Sequence, residues 1–285
     1  MKRRLTLLFL VLMLPSPVLG QELQGTLKKI KETNTIVIGY SDISRPFSFV
    51  GEDGKPAGYS IDLCMRIVAG VQQQLGLRDL QVKWVPVTVE NGIPLLVKGT
   101  IDIECGSTTN TLSRQEQVDF SQLTFVDAGK MLVKAGSGIR GIGDLGNKRV
   151  AVIPGTTTEK VLTESLQRRY VNADIIKVKE PAEGLAALEN GTVDAYASDE
   201  VLLVGLALTA KDPTALRLTE QYFSYEPYGL MVRRGDAAFR LAVNRVLSRL
   251  YRSEQIVEIF AKWFGRLGKP SGLLQAMYIL NGLPD

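Results

Sequence analysis

Histidine is absent from the 285-residue chain, and cysteine is limited to Cys64 and Cys105. Neither a His/Cys zinc site nor a Ser–His–Asp triad can be assembled from such a chain. No metal and no cofactor are expected, and most hydrolase chemistries are excluded with them. Long apolar runs are missing too. The one candidate, Leu5 to Leu14, falls short of the roughly 20 residues a membrane helix needs. It follows Lys2, Arg3 and Arg4 and precedes Pro15, Ser16 and Pro17, the pattern of a secretory signal. Val18 and Gly20 suit signal-peptidase cleavage after Gly20, so residues 1–20 are expected to be removed and Gln21 to open the mature chain. No Cys follows the cut, so lipid anchoring is not expected.

An excess of charge of one sign is lacking as well. Three of the 34 Lys and Arg lie in the signal, which leaves 31 against 30 Asp and Glu, a net charge near +1. Nothing in that balance calls for nucleic acid as a partner. The exported chain is long enough for two modest domains and is expected to be a periplasmic monomer. Cys64 falls on a predicted helix and Cys105 at the end of a predicted strand. Two buried thiols are therefore expected in preference to a disulfide.

What is present is an alternation of β-rich runs and amphipathic helices, which predicts an α/β fold with mainly parallel sheets. Strands are predicted over Thr35 to Tyr40, Gln81 to Val87 and Ile101 to Cys105, with helices over Ile61 to Leu75 and Asn91 to Lys98, the latter stopped by Gly99. A weak repeat runs through the chain. Leu96 to Asp102 is echoed by Leu188 to Asp194, and Asn34 to Gly39 by Asn147 to Ile153. Two related lobes follow, residues 21–126 with 229–285 and residues 127–228. The extended stretches Phe125 to Val133 and Tyr225 to Arg233 cross between them, and Asp236 caps a helix over Ala237 to Tyr251.

Three segments carry chemistry, each where a strand ends and a helix begins, the usual ligand position in open α/β sheets. Cys105-Gly106-Ser107-Thr108-Thr109-Asn110, with Arg114 a turn later, offers hydroxyls, free N–H groups and a guanidinium to a carboxylate. Pro154-Gly155-Thr156-Thr157 offers a second anion site, and Asp199 could receive an ammonium or merely cap a helix. Carboxylate donors and an ammonium acceptor split over two lobes describe an α-amino acid.

On these residues, with Pro46-Phe47-Ser48, Gly58-Tyr59-Ser60, Ile93-Pro94-Leu95-Leu96 and above all Glu104 to Asn110, the chain resembles the polar amino-acid family of bacterial periplasmic binding proteins, most of all its glutamate/aspartate-binding branch. The similarity runs from about Ile36 through Gly265. It implies a type II periplasmic-binding fold whose two hinged lobes close on the ligand and dock on an ABC permease. By position, Ser107, Thr109 and Arg114 match the residues that hold the α-carboxylate and part of the ammonium. Thr157 and Thr156 match second-lobe carboxylate donors, and Asp199 matches the acid that pairs with the ammonium.

The side-chain pocket departs from that branch. Ser41, Val89, Gly92 and Pro181 stand where two arginines, a serine and a histidine would hold an acidic side chain, and Arg45 is displaced along the same loop. A second carboxylate there would be desolvated with little to pair it. A neutral or small polar amino acid is expected, with glutamate, aspartate or another small carboxylate as the alternative. Glu90 beside the gap is a further candidate contact. An enzyme is the rival from another class, since a lyase or dehydratase on this scaffold could use Glu90 or Glu159 as an acid. No paired nucleophile and base supports it, so the chain is not expected to be an enzyme.

Overall fold

The computed structural model describes residues 23–284. The signal and its cleavage site lie outside the described residues. The chain enters with α1 (Gly25–Thr33) and β1 (Thr35–Tyr40). A small antiparallel ribbon follows, made of β2 (Ile43–Ser44), β3 (Ser48–Val50) and β4 (Pro56–Ala57). Next come α2 (Tyr59–Gln74), β5 (Gln81–Pro86), α3 (Gly92–Val97), β6 (Ile103–Glu104) and α4 (Leu112–Gln115). The long strand β7 (Val118–Lys134) leads to β8 (Arg149–Val152), α5 (Thr157–Arg168), β9 (Asp174–Lys177), α6 (Pro181–Glu189), β10 (Ala195–Asp199), α7 (Glu200–Ala207) and β11 (Leu216–Leu218). Strand β12 (Ser224–Arg233) then returns to α8 (Ala237–Tyr251), α9 (Gln255–Phe264) and α10 (Gly272–Asn281).

The sheet order is β5-β1-β6-β12-β7-β10-β8-β9, with β11 on β7. Pairing is parallel on either side of the centre, β1 with β5 and β6, and β8 with β9 and β10. The two long central strands are antiparallel to each other and to their neighbours. This is an α/β architecture, and the buried apolar side chains divide with it. One pair of clusters draws on residues up to Phe125 and from Tyr228 onward, and the other on residues from Met131 to Leu203. β7 contributes to both, whereas the buried apolar residues of β12 belong to the first.

The internal repeat has a physical counterpart. Gly99 and Gly191 both take positive φ, +76° and +79°, which only glycine adopts without strain, and each ends a helix ahead of a strand. Three residues later, Asp102 N–H donates to Val37 O and Asp194 N–H to Arg149 O, both at 2.8 Å. The two carboxylates then receive the N–H groups of the same two residues, Val37 and Arg149, again at 2.8 Å.

The expectation of two free thiols is overturned, because Cys64 and Cys105 form a disulfide. Helix α2 lays its apolar face on β1 and β6, which turns Cys64 toward the strand end that carries Cys105. The Cα atoms stand 6.4 Å apart, within bridging range. Secondary-structure type said nothing about that approach, which depends on how α2 docks.

Candidate ligand-binding site

Glycine gives a close approach at the start of the first loop: a Cβ on Gly106 would lie 2.1 Å from Glu104 Oε1, so that carboxyl would have to move. Ser60 Oγ donates to Gly106 O (2.7 Å), and the disulfide ties the preceding residue to α2, so the loop is anchored twice. Thr111 caps α4 by accepting from Arg114 N (3.2 Å), and Arg114 Nη1 donates to Thr109 O (2.8 Å). Thr108 Oγ1 donates to Glu104 Oε2 (3.0 Å) and Thr109 Oγ1 to Glu226 Oε2 (2.6 Å).

The second loop turns at Gly155 (φ +76°), and Thr156 caps α5 by accepting from Glu159 N (3.1 Å). Thr157 Oγ1 donates to Glu226 Oε2 (2.7 Å) and lies 3.3 Å from Thr109 Oγ1, while Thr158 Oγ1 donates to Asp199 Oδ1 (3.0 Å). Glu159, raised above as a possible acid, accepts from Gly155 N (2.7 Å) and lies 3.4 Å from Lys177 Nζ, so it closes its own turn.

Asp199 occupies the N-cap position of α7 without capping it. Asp127, reaching over from β7, accepts from Val201 N instead (3.1 Å). Asp199 is left to accept from Thr158 and from the Tyr228 hydroxyl. Asp127 and Glu226 are register partners on β7 and β12 and are both buried. Neither was singled out from the sequence, although each is the one carboxylate in its otherwise mostly apolar crossing stretch.

Ser107, Thr109, Arg114, Thr156, Thr157 and Asp199 all line one cavity of about 630 Å³, as do Ser41, Arg45, Val89, Glu90, Gly92 and Pro181. Sheet order divides the two sets. The strands next to the central pair, β6 and β10, together with β8, deliver the first set. The outer strands β5, β1 and β9 lead into the segments bearing the second. The two sides of the cavity touch, since a Cβ on Gly155 would meet Val89 Cγ1 at 3.4 Å and one on Gly205 would meet Arg45 O at 3.1 Å.

The electrostatics of the inner end are lopsided. Glu104, Asp127, Asp199 and Glu226 are all buried, Arg114 is the cation among them, and the nearby Lys130 is paired with Glu200 at 2.8 Å. Burial pushes the Glu104 carboxyl up to about 7 against the opposing pull of Thr108 and Arg114. Burial and then the Asp199 charge raise Asp127 to about 8. Asp199 is raised as well, by burial first and Glu226 second. Burial lowers Arg114, with Glu226, Glu104 and Asp199 opposing, and the guanidinium stays charged. Such a cluster favours a ligand that brings its own positive group.

The displaced Arg45 is drawn aside, its guanidinium carbon 3.8 Å from the centroid of the Phe49 ring. Among the described residues, no group of three or more His, Cys, Asp or Glu could hold a metal ion, and no helix is long and apolar enough to cross a membrane.

Comparison with known proteins agrees with this geometry. Residues 36–266 match the bacterial extracellular solute-binding proteins, family 3. The L-glutamate/L-aspartate-binding protein of Pseudomonas aeruginosa is 42% identical over 262 residues, which cover 92% of this chain and 87% of that protein. The glutamine-binding protein GlnH of Bacillus subtilis is 30% identical, covering 84% and 85%. Among solved structures, a mutant of the arginine-binding protein ArgBP from T. maritima superposes with a TM-score of 0.73 at 29% identity, over 84% of this chain and 99% of that one. The ancestral amino-acid-binding protein AncCDT-1, described as a precursor of cyclohexadienyl dehydratase, gives the same TM-score and identity, over 84% and 100%. These neighbours share the type II periplasmic-binding fold, and the chain belongs to the bacterial extracellular solute-binding proteins, family 3.

Proposed function

We propose that this chain captures one α-amino acid in the cleft between two lobes, residues 21–126 with 229–285 and residues 127–228, and presents it to an ABC import permease. The observation that carries the reading is that Arg114 and an Asp199 left free of helix capping line the wall of one cavity. Arg114, Ser107, Thr109, Thr156 and Thr157 meet the α-carboxylate, and Asp199 meets the ammonium. A buried zwitterion needs both ends satisfied, because an unpaired buried charge costs several kcal/mol. The chain is not an enzyme, and the relatives that match it are named as binding proteins. It works as a periplasmic monomer after removal of residues 1–20, with no part in nucleic-acid binding.

The ligand's side chain is neutral or small and polar, and not acidic. Ser41, Val89, Gly92 and Pro181 bring no cation to the cavity wall, Arg45 is engaged by Phe49, and Lys179 is exposed. The glutamate/aspartate specificity named for the Pseudomonas relative favours the second reading, in which Arg45 leaves Phe49 to meet a side-chain carboxylate. A calorimetric screen of the twenty amino acids, followed by Arg114→Ala and Asp199→Ala, tests the headgroup assignment. Each substitution is expected to weaken binding by about 2–5 kcal/mol, because it leaves a buried charge without its partner. Wild-type affinity in variants that circular dichroism shows to be folded would remove both residues from the site.

A further inference from the structure

The outer compartment of the cavity is lined mainly by apolar side chains, half-buried or exposed, with its charged ones all exposed. Ile43, Val89 and Ile93 face it from the segments after β1 and β5, and Pro181, Leu202 and Leu206 from the other side. Its charged residues, Asp42, Arg45, Glu90, Lys179 and Glu180, are all exposed at the rim. Several of the hydroxyls within reach also make local bonds. Ser41 Oγ and Ser44 Oγ lie 2.8 Å apart, Thr88 Oγ1 accepts from Asn91 N (3.3 Å), and Thr209 Oγ1 donates to Leu206 O (2.7 Å).

Backbone also leaves room here. Gly92 is buried on the wall, and a Cβ added to it would still stand 3.8 Å from Met231 Cε and 4.0 Å from Val87 Cβ. With about 630 Å³ in the whole cavity, a headgroup with a short side chain would leave much of this apolar surface against water. Val89 and Ile43 are 48% and 42% exposed, so a side chain lodged between them would cover two apolar residues that now face solvent.

We infer that this compartment selects a long apolar side chain, which makes the ligand class the α-amino acids with a branched aliphatic, thioether or aromatic side chain. The inference rests on the proposal that Arg114 and Asp199 hold the headgroup, and it goes further by assigning the outer end. A polar side chain would exchange its hydration for a wall built mainly of apolar carbon from Ile43, Val89, Ile93, Pro181, Leu202 and Leu206, whereas an apolar one loses nothing by leaving water.

The test is calorimetry on the protein after unfolding, dialysis and refolding, which strips any carried ligand. Leucine, methionine and phenylalanine are titrated beside alanine, glutamine, glutamate and lysine. At least one of the first three should bind about tenfold or more tighter than any of the other four, the scale on which apolar pockets discriminate. Val89→Asp, at an exposed position where folding is not at stake, should weaken that apolar ligand about tenfold and change alanine less than about threefold. Glutamine, lysine or glutamate binding as tightly as the best apolar amino acid would overturn the apolar assignment and leave the headgroup proposal standing. So would a Val89→Asp protein with unchanged affinity for the apolar ligand. Silence from all seven would overturn the headgroup proposal, and this inference with it.

Discussion

Breaking the Cys64–Cys105 bond should cost this protein much of its stability and part of its affinity. The bridge closes a loop of 41 residues in sequence. In the chain-entropy account, a cross-link of that span removes about 13 cal/mol/K from the unfolded ensemble, or about 4 kcal/mol at room temperature. Spread over a chain of this size, that is a fall in melting temperature of about 10 °C. Guanidinium unfolding with and without reductant measures it directly. Trp84, edge-on to Tyr40, and Trp263, edge-on to Phe49, sit in the same half of the molecule as the bridge and report on it by fluorescence. The slope of free energy against denaturant should steepen on reduction, because the freed unfolded chain exposes more surface. Ligand affinity should drop too, since Cys105 immediately precedes Gly106 and the loop toward Arg114. A stability loss below about 1 kcal/mol would refute the reasoning, and would mean that the packing of α2 on β6 already restricts the unfolded chain.

Three further outcomes follow from the site. Without ligand, the raised Glu104 and Asp127 carboxyls contribute stability that is full below their unfolded values near 4 and is lost as pH rises through about 7 and about 8, so urea midpoints should fall over that window. A ligand ammonium reverses the sign at Asp199 by favouring its ionised form. Binding should therefore release protons near neutrality and tighten as pH rises, and calorimetry in buffers of different ionisation enthalpy that finds no proton release would count against the ammonium assignment. Gly106→Ala should destabilise by about 1–3 kcal/mol in urea, because its Cβ would collide with a buried Glu104 held by Thr108, and an unchanged midpoint would show that Glu104 can swing away.

Local chemistry that repeats with the period of a strand or helix was legible before any coordinates. Strand β1 over Thr35–Tyr40, helix α8 over Ala237–Tyr251 and its Asp236 cap were all readable, the last because a short carboxylate ahead of an amphipathic run is a local signal. The repeat was readable because a helix-stopping glycine and the Asp three residues later do the same job twice. The disulfide was not, since it depends on the angle at which α2 meets the sheet. Nor was the single run of β7 from Val118 to Lys134, which sequence reading places only from Phe125, or the docking of α10 through the Tyr278 and Tyr59 hydroxyls (2.9 Å).

Asp199 shows why a site can be half visible. Its own neighbourhood, a strand end followed by a helix start, predicts an N-cap as readily as a ligand group, and no inspection of residues 195–207 can choose between the two. The choice is made from a distance: Asp127, 72 positions earlier, takes the cap at Val201 N, and Tyr228 and Thr158 hold the Asp199 carboxylate elsewhere. Glu226 works in the same way. It gathers Thr109 from one side of the cavity and Thr157 from the other on a single oxygen, Oε2, so two loops separated by about fifty residues share one buried acceptor. Each of these groups carries little meaning within its own segment. Their roles appear only when the paired central strands β7 and β12 bring the segments together, and those strands are also the elements that any relative motion of the two halves must bend.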